Sequence, residues 1–176
     1  MSGHNKFSKI KHKKAASDAT KSKIFSRLSK IITNESKKAN GNVSSPALAT
    51  AIEAAKKENM PKDTIERAIK KGIDKDTASM DAVIYEAYGP GGCAIIIDGL
   101  TDNKNRSAAE VRHTLSKFGI ELAAQGAASW AFTKDGMDWV ANSTIELSEG
   151  DQEKLGTLID QLEESDDIQG VYTNVA

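Results

Sequence analysis

The sequence predicts an α+β protein: an N-terminal module of three helices, then an antiparallel-sheet domain of ferredoxin-like type, βαββαβ with one extra strand in front. Three observations carry that expectation. Apolar residues recur at helical spacing up to about residue 72. Beyond the polar stretch "IDKDTASMD" (73–81) the period changes to two. The charge changes sign at the same place: residues 1–76 carry 18 basic and 8 acidic side chains, a net of +10, and residues 77–176 carry 6 and 17, a net of −11. The formal net charge of −1 averages two opposite halves. The expected domains are therefore 1–76, a basic arm with a helical nucleic-acid-binding module, and 77–176, an α+β scaffold.

Residues 1–16 show little apolar periodicity and read as a basic arm. Ser17 or Asp18 can cap a first helix, along which Ile24, Phe25, Leu28, Ile31 and Ile32 form one apolar face. Lys23, Arg27, Lys30 and Lys37 share a stripe beside that face, and Gly41 is the expected stop. "SSPALATAIEAAKKEN" places Ser45 as cap and Pro46 at the first helical position, with Leu48, Ala51, Ile52 and Ala55 inward. "PKDTIERAIKKG" turns Ile65, Ala68 and Ile69 inward and puts Gly72 past its end. Short amphipathic helices with short connections make a small helical module.

In the second half, "AVIYEAY" (82–88) and "CAIIIDGL" (93–100) read as strands joined by the turn "GPGG". "RSAAEVRHTLSKFG" reads as a helix with Ala108, Val111, Leu115 and Phe118 inward and Gly119 as its stop. "AASWAFT" (127–133) and "STIEL" (143–147) read as strands, and Ser148 caps a helix with Leu155, Leu158, Ile159 and Leu162 inward. "DIQGVYTNV" (167–175) is a last strand. One antiparallel sheet with the helices on one face would bury all these apolar stripes.

Composition narrows the function classes. At 39% hydrophobic and 28% charged residues the chain fits a globular protein and not one disordered throughout. No apolar run approaches the length of a membrane span, and no apolar region follows the basic start as in a secretory signal. The start resembles a mitochondrial presequence in charge, but it is rich in Lys where such presequences are rich in Arg. Cys93 is the single cysteine, so no internal disulfide forms and a reducing, cytoplasmic location is expected.

The densest chemical signal is at the start. Residues 1–38 hold eleven Lys or Arg against two acids. Lysines at that density face water or a polyanion, and phosphate backbones suit them because each neutralised phosphate releases counterions. The candidate contacts are Lys6, Lys9, Lys11, Lys13, Lys14, Lys21, Lys23, Arg27 and Lys30, with His4 and His12 as hydrogen-bonding partners and Phe7 as a base-stacking ring. The alternative is a solvated tail. "TDNKNR" (101–106) exposes Lys104 and Arg106 at a helix start, where either anion binding or plain capping by Asp102 or Asn103 applies. His4, His12 and His113 lack the spacing of a metal site. "YGPGG" lacks the Lys-Ser/Thr of a phosphate loop, and "EESDD" (163–167) lacks the alternation of a cation loop. No catalytic constellation stands out, and neither a cofactor nor a small-molecule substrate is expected.

Four stretches together resemble the YebC/PmpR family of bacterial regulatory proteins: "SGHNKFSKIKHKKAASDATKSKIFSRL", "NMPKDTIERAIKKG", "YEAYGPGGCAIIIDGLTDNKNRSAAEVRHTLSKFG" and "LIDQLEESDDIQGVYTNV". The resemblance implies a non-enzymatic gene-expression factor. Members are mostly described as DNA-binding transcriptional regulators; some relatives are linked instead to translation and to ribosomal or messenger RNA. It also implies three domains, the third inserted into the second. Here "SWAFTKDG" runs almost at once into "MDWVANSTIEL", so the inserted domain is expected to be missing near 134–143. The resulting expectation is a DNA-binding regulator, with a ribosome- or RNA-associated translation factor as one alternative and a protein-interaction adaptor as another. No helix-turn-helix signature supports base-specific reading in the major groove.

Overall fold

A computed structural model describes residues 18–176, which fall into two compact units, 18–80 and Asp81–Ala176. The arm residues His4, Lys6, Phe7, Lys9, Lys11, His12, Lys13 and Lys14 lie outside the described residues.

The first unit is three helices: α1 (Asp18–Ala39), α2 (Pro46–Lys57) and α3 (Lys62–Ile73). Helix α1 packs against both of the others. Its buried Leu28, Ile32 and Ser36 recur every four residues, with Asn34 buried beside them, and they are matched by buried Leu48, Ala51 and Ala55 on α2 and Ile65 and Ala68 on α3. Helix α1 ends where Asn40 and Gly41 adopt left-handed conformations (φ 50° and 78°), as the stop at Gly41 leads one to expect. Ser45 occupies the cap position of α2 without a side-chain bond, and Pro46 opens the helix.

Gly72 departs from expectation. It lies inside α3, buried against α1, and a Cβ there would stand 2.5 Å from the Thr33 carbonyl oxygen and 2.6 Å from Ser36 Cβ. The missing side chain lets the two helices meet closely enough for hydroxyls of α1 to reach backbone carbonyls of α3. Thr33 Oγ1 donates to Ala68 O at 3.1 Å and Ser36 Oγ to Ile69 O at 2.7 Å.

The second unit has a three-stranded antiparallel sheet in the order β1-β2-β5, from β1 (Asp81–Tyr88), β2 (Ala94–Thr101) and β5 (Ile168–Thr173). Tyr85 pairs with Ile97, which pairs in turn with Val171. Helices α4 (Lys104–Ser116) and α5 (Glu149–Leu162) cover one face, where Ile95 and Ile97 join Val111, Leu115, Leu155, Leu158, Ile159 and Leu162 in one apolar cluster. A separate hairpin, β3 (Phe132–Asp135) and β4 (Asp138–Ala141), covers the other face. There Ala94 and Ile96 pack with Ala128, Ala131, Phe132 and Tyr172. Strand β2 is thus buried on both sides, which explains why "CAIII" is a continuous apolar run and does not alternate.

The α+β class, helices first and an antiparallel sheet after, stands. The ferredoxin-like sheet does not close as one layer. Both hydrogen-bonding edges of β2 are occupied, one by β1 and the other by β5, so β3 and β4 have no edge of β2 to join. They pair with each other instead and lie on a face. The expected strand at 127–133 is mostly loop and a 3-10 turn (Ser129–Ala131), and 143–147 makes a single parallel bridge, Ile145 to Val175. The hairpin falls where "KDGMDW" reads as a mere connection. Gly136, at φ 60°, supplies the left-handed residue of a two-residue turn between the paired Asp135 and Asp138. "GPGG" forms a one-turn 3-10 segment (Pro90–Gly92) between β1 and β2.

Replacing Gly72 with Ala forces the α1–α3 contact apart. The expected cost is about 1–3 kcal/mol, measured by urea unfolding of the full chain. An unchanged urea midpoint would show that the helices meet less closely than described.

Candidate nucleic-acid interface

Helix α1 positions the described part of the basic cluster. Its inner side is fixed by Leu28 and Ile32, and Lys21 and Lys23 stand exposed in its first turns. Arg27 and Lys30 flank the apolar face, at the spacing that puts them on one stripe with Lys23. Lys37, the last member of the stripe, is engaged within the fold. Its ammonium donates to the carbonyl of Thr77 and so ties the segment after α3 back to α1. Asn34 helps from the same side, its Oδ1 accepting from the Met80 N–H at 3.2 Å.

The helical unit offers further cations that the sequence stripe does not single out. Lys57 at the end of α2, Lys70 and Lys71 at the end of α3, and Lys75 just beyond are all exposed. Their signal in the sequence is position: Lys70 lies on the side of α3 opposite the buried Ile65 and Ala68, and Lys71 flanks that buried face. Three further lysines of this unit pair along their own helices. Lys38 pairs with Glu35 and Lys56 with Glu53, each at 2.8 Å, and Lys62 lies 3.7 Å from Glu66. The Lys56 hydrogen bond holds the Glu53 carboxyl below the usual range.

In the sheet unit the loop 101–106 is built for the fold. Asn103 caps α4, its Oδ1 accepting from the Arg106 N–H at 3.0 Å, so plain capping applies. The Arg106 guanidinium reaches Asp167 at 2.9 Å, Asp102 at 2.8 Å and Glu110 at 3.7 Å. Its pKa is raised, first by the bond to Asp167 and then by the one to Asp102. Asp167 also accepts from Thr101 Oγ1 at 2.8 Å, and its carbonyl accepts from the Leu100 N–H at 2.8 Å. One buried carboxylate thereby joins the end of β2, the start of α4 and the start of β5. Lys104 is looser, 3.9 Å from Asp81 and 62% exposed. Lys134 is held by Asp98 at 3.0 Å and lies over the Trp139 ring.

Two buried titratable groups of this unit are structural in character. Glu86 lies beneath the loop that follows α4 and accepts from the backbone N–H groups of Gly126 (2.7 Å), Ala128 (2.7 Å) and Ser129 (2.8 Å). Burial pushes its pKa up, but the three N–H bonds outweigh burial and leave it lowered. Burial pushes the Cys93 thiol up to about 11, which keeps it protonated at neutral pH. Neither shift is toward the neutral range that acid–base or thiolate chemistry uses. Among the described residues no cluster of His, Cys, Asp and Glu could hold a metal ion, and no helix is long and apolar enough to cross a membrane.

Known proteins resemble this chain in both of its units. The family description "TACO1/YebC protein N-terminal domain" matches residues 5–75, and "TACO1/YebC second and third domain" matches 80–137 and 134–175. A "Probable transcriptional regulatory protein" of Desulfosudis oleivorans is 45% identical over 99% of this chain and 72% of its own length. One of the same description from Thermoanaerobacter pseudethanolicus is 37% identical over 238 aligned positions, covering 99% of this chain and 97% of the relative. With 176 residues here, the extra positions of that alignment face gaps in this chain. Among solved structures, a conserved hypothetical protein, Aq1575, of Aquifex aeolicus superposes with a TM-score of 0.76 at 31% identity, covering 90% of this chain and 91% of that one.

The three N–H bonds to Glu86 give stability an acid limb. Because its folded pKa is depressed, its contribution is present above the unfolded carboxyl value, about 4.3, and is lost as pH falls through the folded one. Glu86→Gln is expected to cost about 2 kcal/mol at pH 7 and to flatten the loss of stability between pH 5 and pH 3. Urea midpoints of both proteins across that range check it; parallel curves would show that other carboxylates set the acid limb.

Proposed function

The chain belongs to the TACO1/YebC family, and from that premise we propose that it is a non-enzymatic, nucleic-acid-binding regulator of gene expression. The observation that carries this reading is the partition of charge along the sequence. The helical unit and the arm before it hold 18 of the 24 Lys and Arg. In the sheet unit, Lys104, Arg106 and Lys134 face carboxylates. The arm together with Lys21, Lys23, Arg27 and Lys30 grips the phosphate backbone. Of the loop pair, Lys104 is the one exposed enough to add a contact, while Arg106 holds the fold together. The names of the relatives support transcriptional regulation, and we take DNA as the nucleic acid of this first form of the function.

One observation favours the second form, an RNA- or ribosome-associated factor in translation. Arg67, the arginine of α3, turns its guanidinium into its own helix, toward Thr64 Oγ1 at 3.2 Å and the Asp63 carbonyl at 3.3 Å. An arginine so engaged is not presented to a guanine edge, which leaves α3 to contacts with phosphates and shape, as for folded RNA. We also infer that the family's inserted third domain is missing, with the Gly136 turn standing in its place. The two matched family segments meet at residues 134–137, which supports this.

Crosslinking of the tagged protein in cells, with sequencing of the retained nucleic acid, separates the two forms. Promoter DNA supports the first and a discrete ribosomal RNA site the second. In vitro, log affinity falls linearly with log salt. Replacing Lys11, Lys13 and Lys14 together by Ala is expected to reduce the slope by about three. Arg106→Ala is expected to lower stability and leave the slope unchanged. An unchanged slope for the triple variant would remove the arm from the interface.

A further inference from the structure

On the hairpin side of the sheet, β1 presents Ile84, Glu86 and Tyr88 by alternation, and the loop held by Glu86 places Trp130 beside Tyr88. Ile84 is 47% exposed, Tyr88 41% and Trp130 63%. Among the described residues, these are the strongly exposed large apolar side chains of the sheet unit.

The ridge is built, not merely bare. The Trp130 indole N–H donates to Tyr88 Oη at 2.9 Å and to the Ala127 carbonyl at 3.0 Å, and the Tyr88 hydroxyl donates to that same carbonyl. The backbone on either side is clamped by Glu86 below and by Asn142, whose amide donates to the Trp130 carbonyl at 3.2 Å. Every polar atom of the two rings is satisfied internally, so what they offer outward is ring surface. That surface suits an apolar group or a cation, and a ring held still in advance loses little entropy on contact.

Strand β1 is also an edge of the sheet. Glu86 O accepts from the Ala123 N–H on the outer side, so the backbone groups of Ala82 and Ile84 point the same way by alternation. No hydrogen bond covers them among the described residues. Asp98 sits opposite Ile84 in register with its carboxylate already held by Lys134 at 3.0 Å, so the acidity here is that of the half as a whole, whose net charge is −11.

We propose that the ridge Ile84–Tyr88–Trp130 docks an extended, arginine-bearing protein segment, which pairs with the open edge of β1 and lays a guanidinium on the Trp130 ring. The acidity of the surrounding half disfavours phosphates and favours a cationic occupant. The proposal stands apart from the nucleic-acid reading, because it uses neither the arm nor the helical unit.

The test uses the full chain, labelled with nitrogen-15, and three probes: a short peptide alternating Arg and Val, the same peptide with Glu for Arg, and oligouridine. The Arg peptide is expected to move the Trp130 indole cross-peak, and the Glu peptide to leave it in place. Trp130→Ala is expected to weaken binding about tenfold or more, with the Trp139 cross-peak unmoved as a control on folding. Ile84→Lys, which keeps the ring and adds like charge at the edge, weakens it severalfold. Equal affinity of the Trp130→Ala variant, or no shift with the Arg peptide, overturns the proposal. A shift with oligouridine and none with the Arg peptide also overturns it and makes the ridge a base-stacking platform.

Discussion

The sheet unit depends on the isolation of β2 from water on all four sides. Its edges are taken by β1 and β5, one face by α4 and α5, and the other by the hairpin and the loop before it. Ile95, Ile96 and Ile97 are each fully buried, in alternating directions, so one strand anchors two separate apolar clusters. A strand in this position cannot be reached by a further partner, and that determines what the rest of the chain does. The segment after α4 must cross over the face and close on itself. The burial it brings is apolar on one side and hydrogen-bonded on the other, with Glu86 receiving the backbone of the crossing loop.

The two units solve the problem of charge differently. In the sheet unit, cations serve as ties: Arg106 gathers Asp102, Glu110 and Asp167, and Lys134 holds Asp98 beside Trp139. Arg106 is half exposed, and its pairs with Asp102 and Glu110 are surface pairs of small net worth. The contact with buried Asp167 matters more, because without it a carboxylate inside the fold loses a partner. In the helical unit the pairs of Lys38, Lys56 and Lys62 run between residues three or four apart on the same helix and constrain little. The exposed lysines at the ends of α2 and α3 face solvent, where a polyanion can reach them.

Much of this was legible in the sequence, for identifiable reasons. Helical spacing marks α1 to α3, and the strand-length apolar run marks β2, because both patterns follow from burial on a known side. Ser148 is recognisable as a cap, and its Oγ does accept from the Asp151 N–H at 3.2 Å. The errors share a cause: they concern residues whose role is set by a distant partner. Gly72 reads as a stop because a glycine near a helix end commonly is one, and its contact with Thr33 has no local signature. The 127–133 stretch alternates like a strand, yet its backbone is shaped by a carboxylate some forty residues earlier, on Glu86. The bond of Arg106 to Asp167, at the other end of the domain, likewise has no local signature. The Asp135-Gly136 pair was a local signal, a turn former between residues that can pair across it, and it is outweighed in the sequence by the short spans on either side.

The hairpin turn has a consequence for how such chains diversify. Asp135 and Asp138 face each other in register at the tip of β3 and β4, on the surface of a layer that touches no edge of β2. The tip is a socket: any stretch of polypeptide whose own ends lie close together can be spliced there or removed, and the ladder beneath keeps its register. The entropic cost of a longer closed loop grows slowly, by about 0.6 kcal/mol for each doubling of its length. A lineage can therefore exchange whole modules at this point while the apolar clusters on both sides of β2 stay as they are.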